Sequence, residues 1–287
     1  MTYNKMNILT FDIEDWFHLL DHVATKSENN WGQYESRIHS NMQRIFEVLE
    51  STNQKATFFC MGWMAKTYPE IIREIISRGY EVGSHSNLHQ LAYEQSPQEF
   101  KSDLECSVKT IEDIIGQKVI YYRAPGFSIT EKNKWAFEIL HEQGIEIDCS
   151  VFPAARSHGG FPSFNVQEPA LINYNGITLK ELPINYHSFL SKPIIYSGGG
   201  YFRLIPYYII KKWSKKSNYV MTYFHPRDFD ANQPMIHDLS LTRKFKSYVG
   251  LKGASQKLET WLQEEEFIDI STANSLVNWE QATIVKL

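Results

Sequence analysis

The sequence predicts an α/β chain closed into a barrel of seven or eight parallel strands, TIM-barrel-like in plan. Three observations predict it. Short β-rich runs alternate with amphipathic helical patterns almost throughout the chain, which implies parallel strands joined by helical crossovers. The β/α repeats number seven or eight, enough for closure rather than an open sheet. The 287 residues suit one such barrel, and no linker rich in Gly, Pro or Ser divides them. A single domain spanning residues 1–287 is therefore expected.

The elements follow in order. Asn7–Asp12 is the first strand candidate, and Ile38, Met42, Ile45, Phe46 and Leu49 then recur at helical spacing. Ala56–Cys60 and Tyr80–Ser84 are the next strands, with Gly79 ending the helix between them. Ser96-Pro97-Gln98-Glu99 is a capping box with Pro at the first helical position. It opens a helix whose apolar face is Phe100, Leu104, Val108, Ile111 and Ile115, and Gly116 stops it. Val119–Arg123 and Ile145–Cys149 are strands four and five, with Gly144 ending the helix between them. Pro153 to Gly176 has no clear period and carries Arg156, His158, Gly159 and Gly160. Long irregular stretches of this kind are usually functional or disordered. Leu179–Leu182, Tyr219–Phe224 and Phe267–Ile270 complete the strands. Between them Gly198-Gly199-Gly200-Tyr201-Phe202-Arg203 reads as a tight turn or, weakly, as a phosphate cradle, since it lacks a Gly-Lys-Ser/Thr ending.

Composition narrows the function. Hydrophobic residues make up 43% and charged residues 22%, as in globular proteins. The net charge of −4 supplies no basic field for nucleic acid. No apolar run is long enough to span a membrane, and the N-terminus lacks the pattern of an export signal. Three widely spaced cysteines, Cys60, Cys106 and Cys149, fit buried thiols in a reducing compartment better than a disulfide framework. A cytoplasmic protein is expected.

The titratable residues fall at strand ends. Asp12, Glu14 and Asp15 end the first strand, His85 and His89 follow the third, Arg123 ends the fourth, Asp148 the fifth, and His225 follows the seventh. Each alone has an ordinary reading as a cap or an ion pair. Five strand ends carrying such groups at the active face of one barrel point to catalysis. In Gly83-Ser84-His85-Ser86-Asn87-Leu88-His89 the imidazoles stand at i and i+4, where one helical turn would aim both at one ion. With a nearby carboxylate they make a two-His-one-carboxylate site that leaves positions open. Asp12, Glu14 and Asp15 are more carboxylates than one ion needs, so one should bind metal and another serve as general base. Arg123 could hold a carboxylate's pKa low, with Asp148 orienting it. His225 could protonate a leaving group.

In sum these residues resemble the polysaccharide deacetylase family, carbohydrate esterases that share the NodB homology domain. Thr10-Phe11-Asp12 is similar to its first motif, His85-Ser86-Asn87-Leu88-His89 to its second, Arg123-Ala124-Pro125-Gly126 to its third, Asp148-Cys149-Ser150 to its fourth and His225 to its fifth. Ser150-Val151-Phe152-Pro153, the Gly198–Arg203 run, His225-Pro226 and Leu239-Ser240-Leu241-Thr242-Arg243 resemble the subgroup linked to bacterial exopolysaccharide gene clusters. They mark a family-specific part from about 150 to 287. The resemblance implies a distorted (β/α) barrel and metal-dependent removal of N-acetyl groups from amino sugars in a glycan or glycan precursor. It implies Asp12 as base, His85 and His89 as metal ligands, Arg123 as tether of the base, Asp148 as partner of Arg123, and His225 as acid. Zinc is the expected metal, with cobalt or nickel as alternatives. Gly126 is a candidate oxyanion donor, and Tyr201 and Arg203 are candidate sugar contacts.

Two departures stand out. The family usually has adjacent Asp residues, whereas Ile13 and Glu14 separate Asp12 from Asp15. Strand alternation puts Glu14 on the side of Asp12. A turn after Asp12 would deliver Asp15, the residue type the family uses and the preferred ligand here. Second, Arg227 and Asp228 stand where the subgroup has Trp and Glu. The rival readings are a cyclic-amide or formamide hydrolase on the same fold, and a catalytically inactive glycan-binding protein.

Overall fold

A computed structural model describes residues 5–20, 22–156, 159–236 and 238–287. Of the positions discussed above, His158 and the first four residues lie outside that range. The strands are β1 (Met6–Ile8), β2 (Thr10–Ile13), β3 (Thr57–Cys60), β4 (Glu81–Ser84), β5 (Tyr121–Tyr122), β6 (Ile147–Asp148), β7 (Ala170–Tyr174), β8 (Ile177–Glu181), β9 (His187–Phe189), β10 (Lys192–Ile194), β11 (Tyr219–Met221) and β12 (Thr283–Lys286). The main sheet runs β12-β7-β8-β6-β5-β4-β3-β2. A parallel β1–β11 pair and single bridges Phe11–Phe224, Gly198–Tyr223 and Ile8–Ile268 bring its far end round. The result is a distorted (β/α) barrel with short strands and an uneven wall.

The alternation of strand side chains sorts the core into two layers. Leu9, Phe11, Ile13, Phe58, Tyr122 and Val220 belong to the cluster that packs against the outer helices. Ile8, Phe59, Tyr121, Ile147, Tyr219 and Met221 fill the inner cluster. Because Ile8 faces inward and Phe11 and Ile13 outward, the even-numbered Thr10, Asp12 and Glu14 share the inner side.

The helices form where periodicity predicted them. Ile38–Thr52 buries Ile38, Met42, Ile45, Phe46 and Leu49. Pro97–Ile115 carries the capping box, with Ser96 and Glu99 bonded reciprocally, and ends at Gly116 in the left-handed region. Departures cluster in the second half. The expected strand Phe267–Ile270 reduces to one bridge at Ile268, and a helix starts at Ile270. Leu179–Leu182 is one arm of an antiparallel hairpin with β7, so the sheet is not wholly parallel. Asn175 (φ 46°) and Gly176 (φ 86°) turn that hairpin, as Asn-Gly pairs do. The glycine run is neither turn nor phosphate loop, since Gly199–Leu204 is helical.

Candidate active site

Glu14 is the centre of the site. Its Oε1 lies 2.9 Å from His89 Nε2 and 3.3 Å from His85 Nε2. The three ligand atoms fall within 4.8 Å of one another, and all three residues are buried. Burial opposes ionisation of Glu14, but the charges of His89 and His225 and the bonds from His85 and His89 hold its carboxyl well below the usual range. His85 Nδ1 is engaged by the Arg123 carbonyl at 2.8 Å, which aims Nε2 inward, as second partners of metal-bound imidazoles do. A buried carboxylate faced by two imidazole nitrogens is a donor set suited to one divalent ion. A second group of overlapping make-up, Asp12, Glu14 and His225, lies alongside.

The structure departs here from the preference for Asp15. Asp15 is fully buried on the other side of the chain, where its carboxylate accepts from Trp16 N (2.8 Å), Ser36 Oγ (2.6 Å) and Arg37 N (3.0 Å). The physical reason is the pleat: extended geometry persists through Ile13, so the residue two beyond Asp12 returns to the inner face.

The His85–His89 segment is not the helical turn expected from i, i+4 spacing. It is a loop in which Ser86 (φ 63°) and His89 (φ 53°) are left-handed. Asp103, on the Pro97–Ile115 helix, accepts from Asn87 N (2.7 Å) and Leu88 N (3.0 Å), and Ser86 Oγ accepts from His89 N (3.0 Å). These bonds compensate for the strain of two non-glycine residues at positive φ and bring the rings to a centroid separation of 5.3 Å.

Asp12 stands beside the triad. Arg123, fully buried, donates through Nη1 to Asp12 Oδ1 (2.8 Å) and Thr10 Oγ1 (2.7 Å), and through Nε to the Cys149 carbonyl (3.3 Å). Its guanidinium lies 4.3 Å over the Phe59 ring. Asp148, expected to orient Arg123, does not bond it. Asp148 bonds Ser150 Oγ and, side chain to side chain, Glu181, its register neighbour on β8. Asp148 Oδ2 and Glu181 Oε2 are both buried and accept from no N–H or hydroxyl, an arrangement suited to sharing one proton. Burial pushes Asp148 up to about 6, and burial together with the Asp148 charge pushes Glu181 well above the ordinary range. Two like charges at such a site cannot both ionise cheaply.

His225 closes the opposite side. Its Nε2 lies 3.6 Å from Glu14 Oε1 and 3.9 Å from Asp12 Oδ2. Its Nδ1 bonds Asp228 Oδ2 at 3.0 Å, and its backbone N–H donates to the same oxygen. Burial works against protonation, yet Glu14, Asp228 and Asp12 raise the imidazole to about 9. Asp228 was visible in the sequence only as a departure from the subgroup. A His-Pro-x-Asp capping box directly after a strand was the signal that could have found it.

Arg203 is not a sugar contact. It is 7% exposed, pairs with Asp228 through Nε at 3.1 Å, and donates to the carbonyls of Lys246 and Ser247. Tyr201, on the same helix, is 46% exposed. Gly126 follows Arg123 in a short turn at φ 61°. Cys60 and Cys149 are buried, whereas Cys106 is exposed; all three are free. Among the described residues no helix is long and apolar enough to cross a membrane.

The family model described as Polysaccharide deacetylase matches residues 2–146, and one described as Domain of unknown function (DUF3473) matches residues 149–274. A peptidoglycan-N-acetylglucosamine deacetylase of Bacillus cereus is 28% identical over 96 residues, 33% of this chain and 35% of that protein. A chitooligosaccharide deacetylase of Azorhizobium caulinodans is 29% identical over 98 residues, 34% of this chain and 44% of that protein. The chain thus matches less than half the length of these relatives. A Mycobacterium smegmatis structure, named provisionally as a polysaccharide deacetylase, superposes with a TM-score of 0.67 at 18% identity, covering 100% of this chain and 95% of that one. A Bacillus anthracis pseudoenzyme of the CE4 family superposes with a TM-score of 0.53 at 17% identity, covering 94% and 65%. Asp12, Glu14, His85, His89 and Arg123 lie in the first matched region, whereas Glu181, Arg203, His225 and Asp228 lie in the second.

Proposed function

The chain belongs to the polysaccharide deacetylase family, and from that membership we propose that it hydrolyses the N-acetyl amide of an amino sugar in a glycan or glycan precursor. One observation carries the reading: a tethered carboxylate, Asp12, and a carboxylate-held imidazole, His225, flank the Glu14–His85–His89 group from two sides. That is what hydrolysis of an unactivated amide requires, a base for water and an acid for the departing nitrogen.

Glu14, His85 and His89 would hold a divalent ion, zinc by the preference of an N₂O donor set and cobalt or nickel as alternatives, and the bound ion would polarise the acetyl carbonyl and acidify water. Asp12 takes the proton of the attacking water at Oδ2. Arg123 holds Oδ1 and so fixes the plane of the carboxylate. A C–O bond forms at the acetyl carbon, and the Gly126 N–H is the proposed donor to its developing oxyanion. The C–N bond then breaks as His225 Nε2 delivers a proton to the amine, leaving acetate and the free amino sugar. Asp228 holds Nδ1 of His225 and stabilises the protonated ring. Tyr201, exposed, is the proposed outer sugar contact. Asp148 acts through the Cys149 segment and Glu181 rather than on Arg123 directly. Residues 1–287 are proposed to work as one domain, because the main sheet draws strands from both matched regions. Three free cysteines, one of them exposed, support a reducing, cytoplasmic setting.

The test is acetate release from N-acetylated oligosaccharides by zinc-loaded protein, with Asp12→Asn as the control. Asp12→Asn is expected to keep metal and lose ~10²–10⁴-fold in turnover. Folded, metal-loaded protein that releases no acetate but opens cyclic amides or cleaves formamides would replace this reading with its rival. Loss of metal in Asp12→Asn would show that base and ligand have been exchanged.

A further inference from the structure

We propose that Arg156 binds an oxyanion carried by the substrate beside its acetamide sugar, so that the substrate class is an anionic N-acetylated glycan or precursor; this rests on the deacetylase reading for the position of the acetamide. The observations lie in the irregular stretch that the chemistry above leaves unused. Two of its described residues are held by backbone hydrogen bonds. Ala154 N donates to the Phe152 carbonyl at 2.8 Å, and Gly160 N donates to the Phe127 carbonyl at 3.1 Å. Gly159 adopts φ 67°, and a Cβ there would lie 2.0 Å from the Phe127 oxygen, so only glycine lets this backbone press onto the turn that follows Arg123.

That docking places the Arg156 guanidinium 5.6 Å from the Phe127 ring and 5.7 Å from the Phe152 ring. Phe127 stands edge-on to Tyr223 at 5.2 Å, and Tyr223 edge-on to His225 at 5.8 Å. Arg156 is therefore linked to the acid through two aromatic rings, Phe127 and Tyr223. Among the other arginines around the site, Arg123 pairs with Asp12 and Arg203 with Asp228, while Arg227 is buried and donates Nη1 to the Trp16 carbonyl. Arg156 is exposed, and no ion pair or hydrogen bond engages it among the described residues. Aromatic faces hold a guanidinium without using its N–H donors, which leaves a planar fork open to a carboxylate or phosphate. The chain's net charge of −4 supplies no general attraction for anions.

The experiment measures equilibrium binding to zinc-loaded Asp12→Asn protein, in which turnover is suppressed. Three ligands are compared: a neutral N-acetylglucosamine tetramer, a tetrasaccharide alternating N-acetylglucosamine with glucuronate, and UDP-N-acetylglucosamine. The expected result is that one of the anionic ligands binds on the order of tenfold tighter than the neutral tetramer at low salt, with the advantage shrinking as salt rises. Whichever anionic ligand shows it identifies carboxylate or phosphate as the source. Adding Arg156→Met, which keeps a long cover over Phe127 and Phe152, should abolish the advantage, and Arg156→Lys should keep part of it. Thermal unfolding checks that both variants fold. Equal binding of all three ligands, no binding of any, or an advantage that survives Arg156→Met overturns the proposal. Acetate release by the wild type without anion preference would sink the Arg156 contact and leave deacetylation standing. An Arg156-dependent preference in protein that releases no acetate from any glycan would do the reverse.

Discussion

Glu14 and Asp15 are neighbours in sequence with opposite surroundings. Glu14 faces three imidazoles on the inner side of the barrel, whereas Asp15 satisfies the N–H groups of Trp16 and Arg37 and the Ser36 hydroxyl. Glu14→Gln is therefore expected to lose the metal. Asp15→Asn should keep it but lower stability by ~1–3 kcal/mol, since an amide satisfies those donors poorly. Elemental analysis and denaturant unfolding on the two variants check both halves; metal loss in Asp15→Asn alone would return the ligand role to Asp15. At the other side of the site, Asp228→Asn removes the charge that favours protonated His225. An amine departs poorly unless protonated, whereas an activated aryl ester leaves as a stable anion. N-acetyl hydrolysis should thus fall by up to ~10²-fold in Asp228→Asn, and by ~10²–10⁴-fold in His225→Ala, with activated acetyl esters much less affected. Equal losses on amide and ester would make His225 a binding residue.

Among the elements, the His85–His89 loop shows what spacing alone conveys. Imidazoles four residues apart can share an ion from a helical turn or from a loop, and the chain uses the loop. What decides it is Asp103, on the Pro97–Ile115 helix that follows the loop, whose carboxylate takes two loop N–H groups. Asp103→Ala should leave the helix intact by circular dichroism while weakening metal binding ~10–100-fold, the usual effect of losing a group that orients ligands. Unchanged metal affinity in a folded variant would count against it. The β7–β8 hairpin is the complementary case: Asn175-Gly176 is a hairpin signal, whereas βαβ repetition predicts parallel strands and no antiparallel arm at β7.

Across the whole molecule, the two matched regions meet in the site. Glu181, from the region described only as a domain of unknown function, is the register neighbour of Asp148, next to the segment that bonds Arg123. The folded pair keeps a proton that the unfolded chain loses near the ordinary carboxylate range, because burial raises both groups, Asp148 to about 6 and Glu181 further. The folded state thus binds more protons than the unfolded state, and stability falls as pH rises. The contribution is complete below about pH 4 and is lost as pH passes through 6 and above. Denaturant unfolding across this window should show a steeper decline for the wild type than for Glu181→Gln, in which the amide donates to Asp148 permanently. Parallel curves would mean that no proton is shared.

The sequence by itself determined the fold class, most of the helices and the candidate set Asp12, His85, His89, Arg123 and His225. Periodicity and strand-end position are local properties that survive whatever the rest of the chain does. Tertiary structure decided which carboxylate meets the imidazoles, that Asp148 answers to Glu181 rather than Arg123, that Arg203 supports Asp228 instead of a sugar, and that Asp103 shapes the ligand loop. Each of those is a pairing between distant segments, set by the depth and direction of a side chain within the closed barrel. A pattern along the chain specifies which face a residue takes, and only packing specifies what it meets there.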